Sequence, residues 1–201
     1  MHDYDDSTHE YEPDAFNDSG KGNARFSPLM EPFDSADAAD PLAPAVGPVI
    51  PTLYAADSPR GAIAEIVLRT VPTPSAGHIH DWTADRNSKM HISEIALAPL
   101  RLANLKSTGL KAAGLKHEDV FAGMAANYPR TRELAQHVWK TLPEAQGLIW
   151  MSVQANESAV IMLFGDRIDP QDVHPTGLCE PIEVVEDDVL ELLDELGCGA
   201  V

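Results

Sequence analysis

Three polar residues far apart in the chain, an arginine, a glutamate and a serine, are of types that could act together on a dinucleotide. Arg25 follows a glycine-containing turn, Glu65 lies in an Ala/Ile-rich segment, and Ser152 lies in the apolar run 147–153. A guanidinium grips phosphate oxygens with two donors at once. A carboxylate near a ribose stabilises the positive charge that develops when a glycosidic bond breaks. If the three side chains meet in one cleft, they could hold an anionic dinucleotide and stabilise positive charge on its ribose.

Each of these residues also has an ordinary structural interpretation. Glu65 precedes Arg69 by four residues on a predicted helix, the spacing of a surface ion pair that contributes about 0.2–0.5 kcal/mol. Arg25 could be a surface arginine, and Ser152 could hydrogen-bond the backbone, because the Gly-x-Ser-x-Gly elbow of serine hydrolases is absent. Tyr54 offers a ring that could stack on nicotinamide or adenine, or pack half-buried. The residue types alone leave both interpretations open.

The segments around these residues resemble the RES family. The resemblance covers about residues 20–168 and is carried by Asn-Ala-Arg-Phe-Ser-Pro at 23–28, by Leu-Tyr at 53–54 followed by Ser-Pro, and by Gly-Leu-Ile-Trp-Met-Ser at 147–152. It implies a fold related to ADP-ribosyltransferases, with a compact mixed or antiparallel sheet core flanked by helices. It also implies an NAD site at Arg25, Tyr54, Glu65 and Ser152, of which Arg25, Glu65 and Ser152 are the catalytic candidates.

Characterised RES proteins are toxins of toxin–antitoxin pairs, and their reaction consumes NAD. The resemblance therefore implies an enzyme that degrades NAD+ by phosphorolysis or hydrolysis at the nicotinamide ribose bond. It implies NAD as a substrate, inorganic phosphate as an optional second substrate, and a helix-turn-helix antitoxin as the partner. Two alternatives stay open: transfer of ADP-ribose to a protein target, and a catalytically weakened RES-fold protein that acts by interaction. A homodimer is also left open.

One position departs from the family pattern. Family members usually carry an additional arginine, followed by a histidine or tyrosine, near the start of the domain. In this chain the two corresponding positions are Met1 and His2. His2 is therefore a candidate NAD-binding residue, and the arginine has no counterpart. The departure favours either a chain that starts late relative to a complete domain or the weakened alternative.

The charge and length of the chain limit its class and its partners. A chain of 201 residues fits one domain, 1–201, and its 32 acidic against 14 basic residues give a net charge of −18. Such a surface repels phosphodiester backbones, so we expect no direct binding of nucleic acid. An NAD site in this chain must therefore rely on local arginines.

Metal, membrane and disulfide chemistry are not expected either. His78, His80 and His91 lack a third ligand at a defined spacing, which predicts no metal site. No apolar run approaches the roughly 20 residues of a membrane helix. Cys179 and Cys198 are predicted to be free thiols of a cytoplasmic protein.

Local signals predict the elements that must position the site. The Ser-Pro pair at 58–59 predicts a helix that carries Glu65 and runs to about Leu68. Two apolar runs, 148–153 and 159–164, predict a hairpin whose first strand carries the serine. Strands and helices follow one another without regular βαβ alternation, which predicts an α+β fold.

The remaining segments frame this core. The polar stretch 1–24 predicts a loosely attached arm, and the proline-rich stretch 31–51 predicts an insertion loop. Residues 90–105 predict a strand broken at a proline, and residues 117–142 predict two helices. The tail 183–197 predicts an acidic amphipathic helix that docks on its own domain or on a second copy.

Overall fold

The fold is seen in a computed structural model that describes six ranges of the chain. These are 2–3 for the backbone alone, 12–31, 47–72, 75–86, 90–122 and 125–201. Within them the chain forms six α-helices and eleven strands, and the predicted α+β class is confirmed. None of the helices in the described ranges is long and apolar enough to cross a membrane.

Strands and helices alternate irregularly along the chain. The strands are β1 His2–Asp3, β2 Leu29–Met30, β3 Val49–Ile50, β4 Thr52–Ala56, β5 Ile79–His80, β6 Met90–Leu97, β7 Leu102–Asn104, β8 Gly147–Met151, β9 Ala159–Phe164, β10 Val173–Pro181 and β11 Gly199–Ala200. The helices are α1 Pro59–Ile66, α2 Trp82–Arg86, α3 Ser107–Ala112, α4 His117–Phe121, α5 Tyr128–Thr141 and α6 Glu186–Glu195.

The largest sheet carries the core of the molecule. Its strand order is β4-β9-β8-β7, with β9 antiparallel to both neighbours and β7 parallel to β8. The predicted hairpin is therefore confirmed as β8 and β9. Leu148, Trp150 and Met162 from these strands are fully buried and pack with Ala135 and Val138 of α5. Apolar side chains buried in this way supply most of the driving force for folding.

A second sheet has the strand order β1-β6-β10. Its long strand β10 was not predicted from the sequence. Pro175, Gly177 and Pro181 interrupt β10, and such residues argue against a central strand. The strand lies at the edge of its sheet, where a missing N–H is tolerated. Its register with β6 shifts between Pro175 and Cys179, and Gly177 has a φ of +96° in that irregular stretch.

Helix α1 begins where its cap predicts and ends earlier than predicted. The Ser58 hydroxyl accepts a hydrogen bond from the Gly61 N–H at 3.1 Å, and Pro59 occupies the first turn. The helix ends at Ile66, and a short 3-10 turn, Leu68–Thr70, follows it. A Cβ on Gly61 would lie 2.8 Å from the Cβ of Ser158, so glycine allows α1 to approach the residue that precedes β9 closely.

The predicted insertion loop and N-terminal arm need correction at their ends. Val49 and Ile50 pair with β2 rather than continuing the loop 31–51, because pairing with Leu29 and Met30 buries Leu29 and Ile50 in the core. Residues 32–46 and 4–11 lie outside the described ranges. The arm is fastened to β4, since the Asn17 and Thr52 backbones exchange hydrogen bonds of 2.8 and 3.2 Å.

The predicted break within 90–105 and the predicted helix pair are confirmed. Strand β6 ends before Pro99, and β7 joins the other sheet, so the chain crosses between sheets at the proline. Helix α5 begins at Tyr128, with Pro129 in its first turn. Both predicted free thiols, Cys179 and Cys198, are unpaired cysteines.

The acidic tail helix packs on the domain that carries it. Val189, Leu192 and Leu193 of α6 are at most 1% exposed and belong to one apolar cluster with Ile63 and Leu68 of the α1 region. The intramolecular docking predicted for this stripe is therefore confirmed. The acidic face of α6 is left on the surface.

Replacing Leu192 with alanine is expected to lower the free energy of unfolding by about 2–5 kcal/mol, because a cavity would open beneath α6. Leu190 on the same helix is 41% exposed, so Leu190→Ala is the matched control and should change it by less than about 0.5 kcal/mol. Urea denaturation of both variants measures the difference. Equal losses would contradict docking of the stripe.

Candidate active site

A cavity of about 1190 Å³ opens between the N-terminal segment, β4, α1 and β6. It is somewhat larger than the roughly 300–1,000 Å³ of ordinary small-molecule pockets. Arg25, Tyr54 and Glu65 line it, although the chain segments that carry them are well separated. Ser152 is not among the described residues of its wall, whereas its neighbour Val153 is. The structure thus brings three of the four predicted residues directly to one cavity.

Arg25 is held against two aromatic rings. Its guanidinium carbon lies 5.5 Å from the ring centroids of both Phe121 and Tyr128. Its Nη1 donates to the Val120 carbonyl at 3.4 Å, and its own carbonyl accepts a hydrogen bond from the Thr131 hydroxyl. A guanidinium has five N–H donors, and among the described residues only the Val120 carbonyl accepts from that of Arg25, so the others are available to an anion.

A second arginine, which sequence reasoning missed, shapes the loop that carries Arg25. Arg132 of α5 donates to the Ser27 carbonyl at 3.0 Å, to Asn23 Oδ1 at 2.6 Å and to the Ala24 carbonyl at 3.2 Å. These bonds join residues more than 100 positions apart in sequence. No local pattern in the sequence reveals such a contact.

Tyr54 supports the same loop from β4. Its hydroxyl oxygen accepts a hydrogen bond from the Phe26 N–H at 3.2 Å, and its ring meets that of Trp150 edge-on, with centroids 6.1 Å apart. Burial raises the pKa of the Tyr54 phenol far above its ordinary value, and the nearby carboxylate of Glu65 raises it further. The phenol therefore stays neutral at physiological pH.

Glu65 projects from the last turn of α1 toward the cavity and is half-buried. Its Oε1 accepts a hydrogen bond from the Val153 N–H at 3.2 Å. Within the described part of the chain it forms no ion pair with Arg69, so the surface pair that the four-residue spacing suggested is not present. The carboxylate is therefore oriented by a backbone donor.

Ser152 acts inside the turn that follows β8. It is 1% exposed, its hydroxyl oxygen accepts a hydrogen bond from the Ala155 N–H at 3.2 Å, and its own N–H donates to the Ser158 carbonyl at 2.9 Å. This bond closes the turn 152–158, and the backbone of that turn connects Ser152 to Glu65.

The turn 152–158 forms hydrogen bonds with both ends of α1. The Ser158 hydroxyl lies 2.9 Å from the hydroxyl of Ser58, the residue that caps α1. Val153 binds Glu65 near the other end. Gln154, which sequence reasoning also missed, donates to the carbonyls of residues 68 and 71 at 3.3 and 3.0 Å. The hairpin turn therefore sets the position of Glu65 relative to the cavity.

Replacing Ser152 with alanine is expected to lower the free energy of unfolding by about 1–3 kcal/mol, because the buried Ala155 N–H would lose its acceptor. Ser107→Ala is the control, since Ser107 is exposed at the start of α3, and it should cost less than about 0.5 kcal/mol. Urea denaturation compares the two. A stable Ser152→Ala protein would contradict the structural role of this hydroxyl.

The fifth NAD-binding candidate, His2, lies in β1. Its backbone pairs with His91 of β6, one residue before the part of β6 that lines the cavity. The side chain of His2 lies outside the described part of the structure. In the described ranges, no group of three His, Cys, Asp or Glu side chains could hold a metal ion.

The RES domain family model matches residues 4–180 of this chain. The chain belongs to the RES domain family. Its fold is similar to a chain in the crystal structure of the M. tuberculosis MbcT–MbcA toxin–antitoxin complex, with a TM-score of 0.50. The sequence identity is 15%, over 69% of this RES domain chain and 71% of the other chain. No curated protein matches the sequence.

Proposed function

We propose that this RES domain is a toxin that degrades NAD+ by breaking the bond between nicotinamide and its ribose. The observation that carries the proposal is the meeting of Arg25, Tyr54 and Glu65 on one cavity. An anion-binding guanidinium and a carboxylate without an ionic partner among the described residues face the same space. Binding of a dinucleotide and stabilisation of a cationic ribose need that combination.

The reaction places the positive charge near Glu65. As the C1′–N bond breaks, its electron pair passes to the pyridinium nitrogen and nicotinamide leaves as a neutral molecule. The ribose becomes oxocarbenium-like, and the Glu65 carboxylate stabilises it. An oxygen of water or of inorganic phosphate then bonds to C1′. With water the products are ADP-ribose and a proton, and with phosphate the product is the phosphorylated ADP-ribose.

The other residues serve binding and positioning. Arg25 binds the pyrophosphate through donors that the Val120 carbonyl does not use. Tyr54 holds the Arg25 loop through its bond with Phe26 and lines the cavity. Ser152 closes the turn in which the Val153 N–H orients Glu65. The backbone of His2 pairs with His91, which precedes the part of β6 that lines the cavity, so His2 could contribute to the same site.

The biological partner in this proposal is an antitoxin protein with a helix-turn-helix. Membership of the RES family and the likeness to a chain from a toxin–antitoxin complex support it. With a net charge of −18, the RES domain favours a partner with a basic surface.

Incubation with NAD labelled in its adenine half, with and without phosphate, tests the reaction. The proposal predicts that nicotinamide is released while the label stays in a small molecule. Conversion to a phosphorylated product only when phosphate is present would identify phosphorolysis. Transfer of the label into a protein acceptor would replace the proposal with ADP-ribosyl transfer.

A further inference from the structure

Arg69 is the second positively charged residue on the described wall of the cavity, after Arg25. It is exposed, and within the described ranges it forms no ion pair and no side-chain hydrogen bond. The other charged residues on that wall are acidic: Asp57, Glu65, Glu94 and Glu180. On a wall that is otherwise acidic, in a chain of net charge −18, only the guanidiniums of Arg25 and Arg69 can attract an anion among the described lining residues, and that of Arg69 has no described partner.

The position of Arg69 relative to Glu65 suggests which anion it meets. Arg69 lies in the 3-10 turn Leu68–Thr70 that continues α1, four residues after Glu65. Side chains four residues apart on a helix lie on one face, with Cβ atoms about 5–6 Å apart. Gln154 binds the carbonyls of residues 68 and 71, one on each side of Arg69, and thereby fixes this turn.

We propose that Arg69 binds the 5′-phosphate of the nicotinamide ribose and makes the cavity selective for nucleotides over nucleosides. This inference rests on the proposed function, because it takes the ribose to lie beside Glu65. The 5′-phosphate is attached to that same ribose through C5′, so it falls within one helical turn of the carboxylate. Arg25 is then free to bind the other phosphate of the dinucleotide.

Binding of two ligands that differ only in this phosphate tests the inference. The probes are reduced nicotinamide mononucleotide and reduced nicotinamide riboside, whose dihydropyridine ring is a poor leaving group and resists cleavage. Calorimetry compares the wild type with Arg69→Gln and with Arg101→Gln. Arg101 is exposed, lies outside the cavity wall and has no side-chain bond in the described part of the chain, so it controls for the loss of one positive charge.

The Arg69→Gln variant should bind the mononucleotide about tenfold more weakly, as expected for a hydrogen bond between charged groups near the surface. Its affinity for the riboside should not change, and Arg101→Gln should resemble the wild type with both ligands. In NAD turnover, Arg69→Gln should raise KM and leave kcat unchanged.

Equal weakening of both ligands by Arg69→Gln, or no weakening of either, would overturn the role of Arg69. If the wild type consumes NAD and Arg69→Gln behaves like it, the proposed function stands and this inference alone fails. If the wild type neither consumes NAD nor binds either ligand, the proposed function fails with it.

Discussion

Glu65→Gln is expected to remove most NAD consumption, with kcat about 10²–10³-fold below that of the wild type. Glutamine keeps the side-chain volume and an oxygen that can accept the hydrogen bond from the Val153 N–H at 3.2 Å. It loses the negative charge that stabilises the oxocarbenium-like ribose, and loss of one such preorganised electrostatic group commonly has this magnitude. Steady-state nicotinamide release measures the change.

The matched control for this variant is Glu180→Gln, which removes one carboxylate from another part of the same cavity wall. Glu180 has no side-chain partner in the described ranges, and its replacement should leave kcat unchanged. Melting temperatures of both variants should equal that of the wild type. If Glu65→Gln keeps full turnover, Glu65 is an ordinary surface glutamate and the reaction takes place elsewhere.

Arg25→Ala is expected to lower kcat/KM for NAD by about 10–100-fold. Hydrogen bonds to charged groups contribute about 1.5–3 kcal/mol, and the loss of such a contact to the pyrophosphate falls mainly on substrate binding. Arg25→Lys should recover part of the activity, because lysine restores the charge without the two-pronged geometry.

The alanine variant must remain folded for this result to count. In the wild type the Arg25 guanidinium packs on Phe121 and Tyr128, and such contacts contribute about 0.5–1 kcal/mol each at exposed sites. The variant loses them, so a modest fall in melting temperature is expected. Arg130→Ala, an exposed replacement on α5, is the control and should leave kcat/KM unchanged. Equal activity of Arg25→Ala and the wild type would remove Arg25 from the NAD site.

The elements nearest the site were predictable because their signals are local. The capping serine and the proline that follows it mark the start of α1, and two apolar runs separated by a polar turn mark the β8–β9 hairpin. Strand β10 was not predictable, since Pro175, Gly177 and Pro181 fit a loop as well as an edge strand. Edge position is decided by the rest of the sheet.

The sequence likewise predicted some residues of the candidate site but not the contacts that orient them. Residue types and family resemblance indicated Arg25, Tyr54 and Glu65, and the structure places all three on one cavity. The contacts that orient them depend on tertiary pairing. The Val153 N–H reaches Glu65 across 88 positions, and Arg132 reaches the Arg25 loop across more than 100. No periodicity or motif in the sequence encodes such distant partners.

Ser152 was indicated as part of the NAD site by resemblance, and it is not among the described residues of the cavity wall. In the structure its hydroxyl oxygen accepts the Ala155 N–H inside a closed turn, and the next residue, Val153, contacts Glu65. Its proposed contribution to catalysis is therefore to position Glu65 through the backbone.

Release of free nicotinamide from NAD, followed by chromatography for the wild type and Glu65→Gln at equal concentration and equal melting temperature, tests the central claim most directly. The account predicts steady release of nicotinamide by the wild type, matched mole for mole by ADP-ribose or its phosphorylated form, and almost none by the variant. Intact NAD after incubation with folded wild-type protein, or equal release by both proteins, would contradict it.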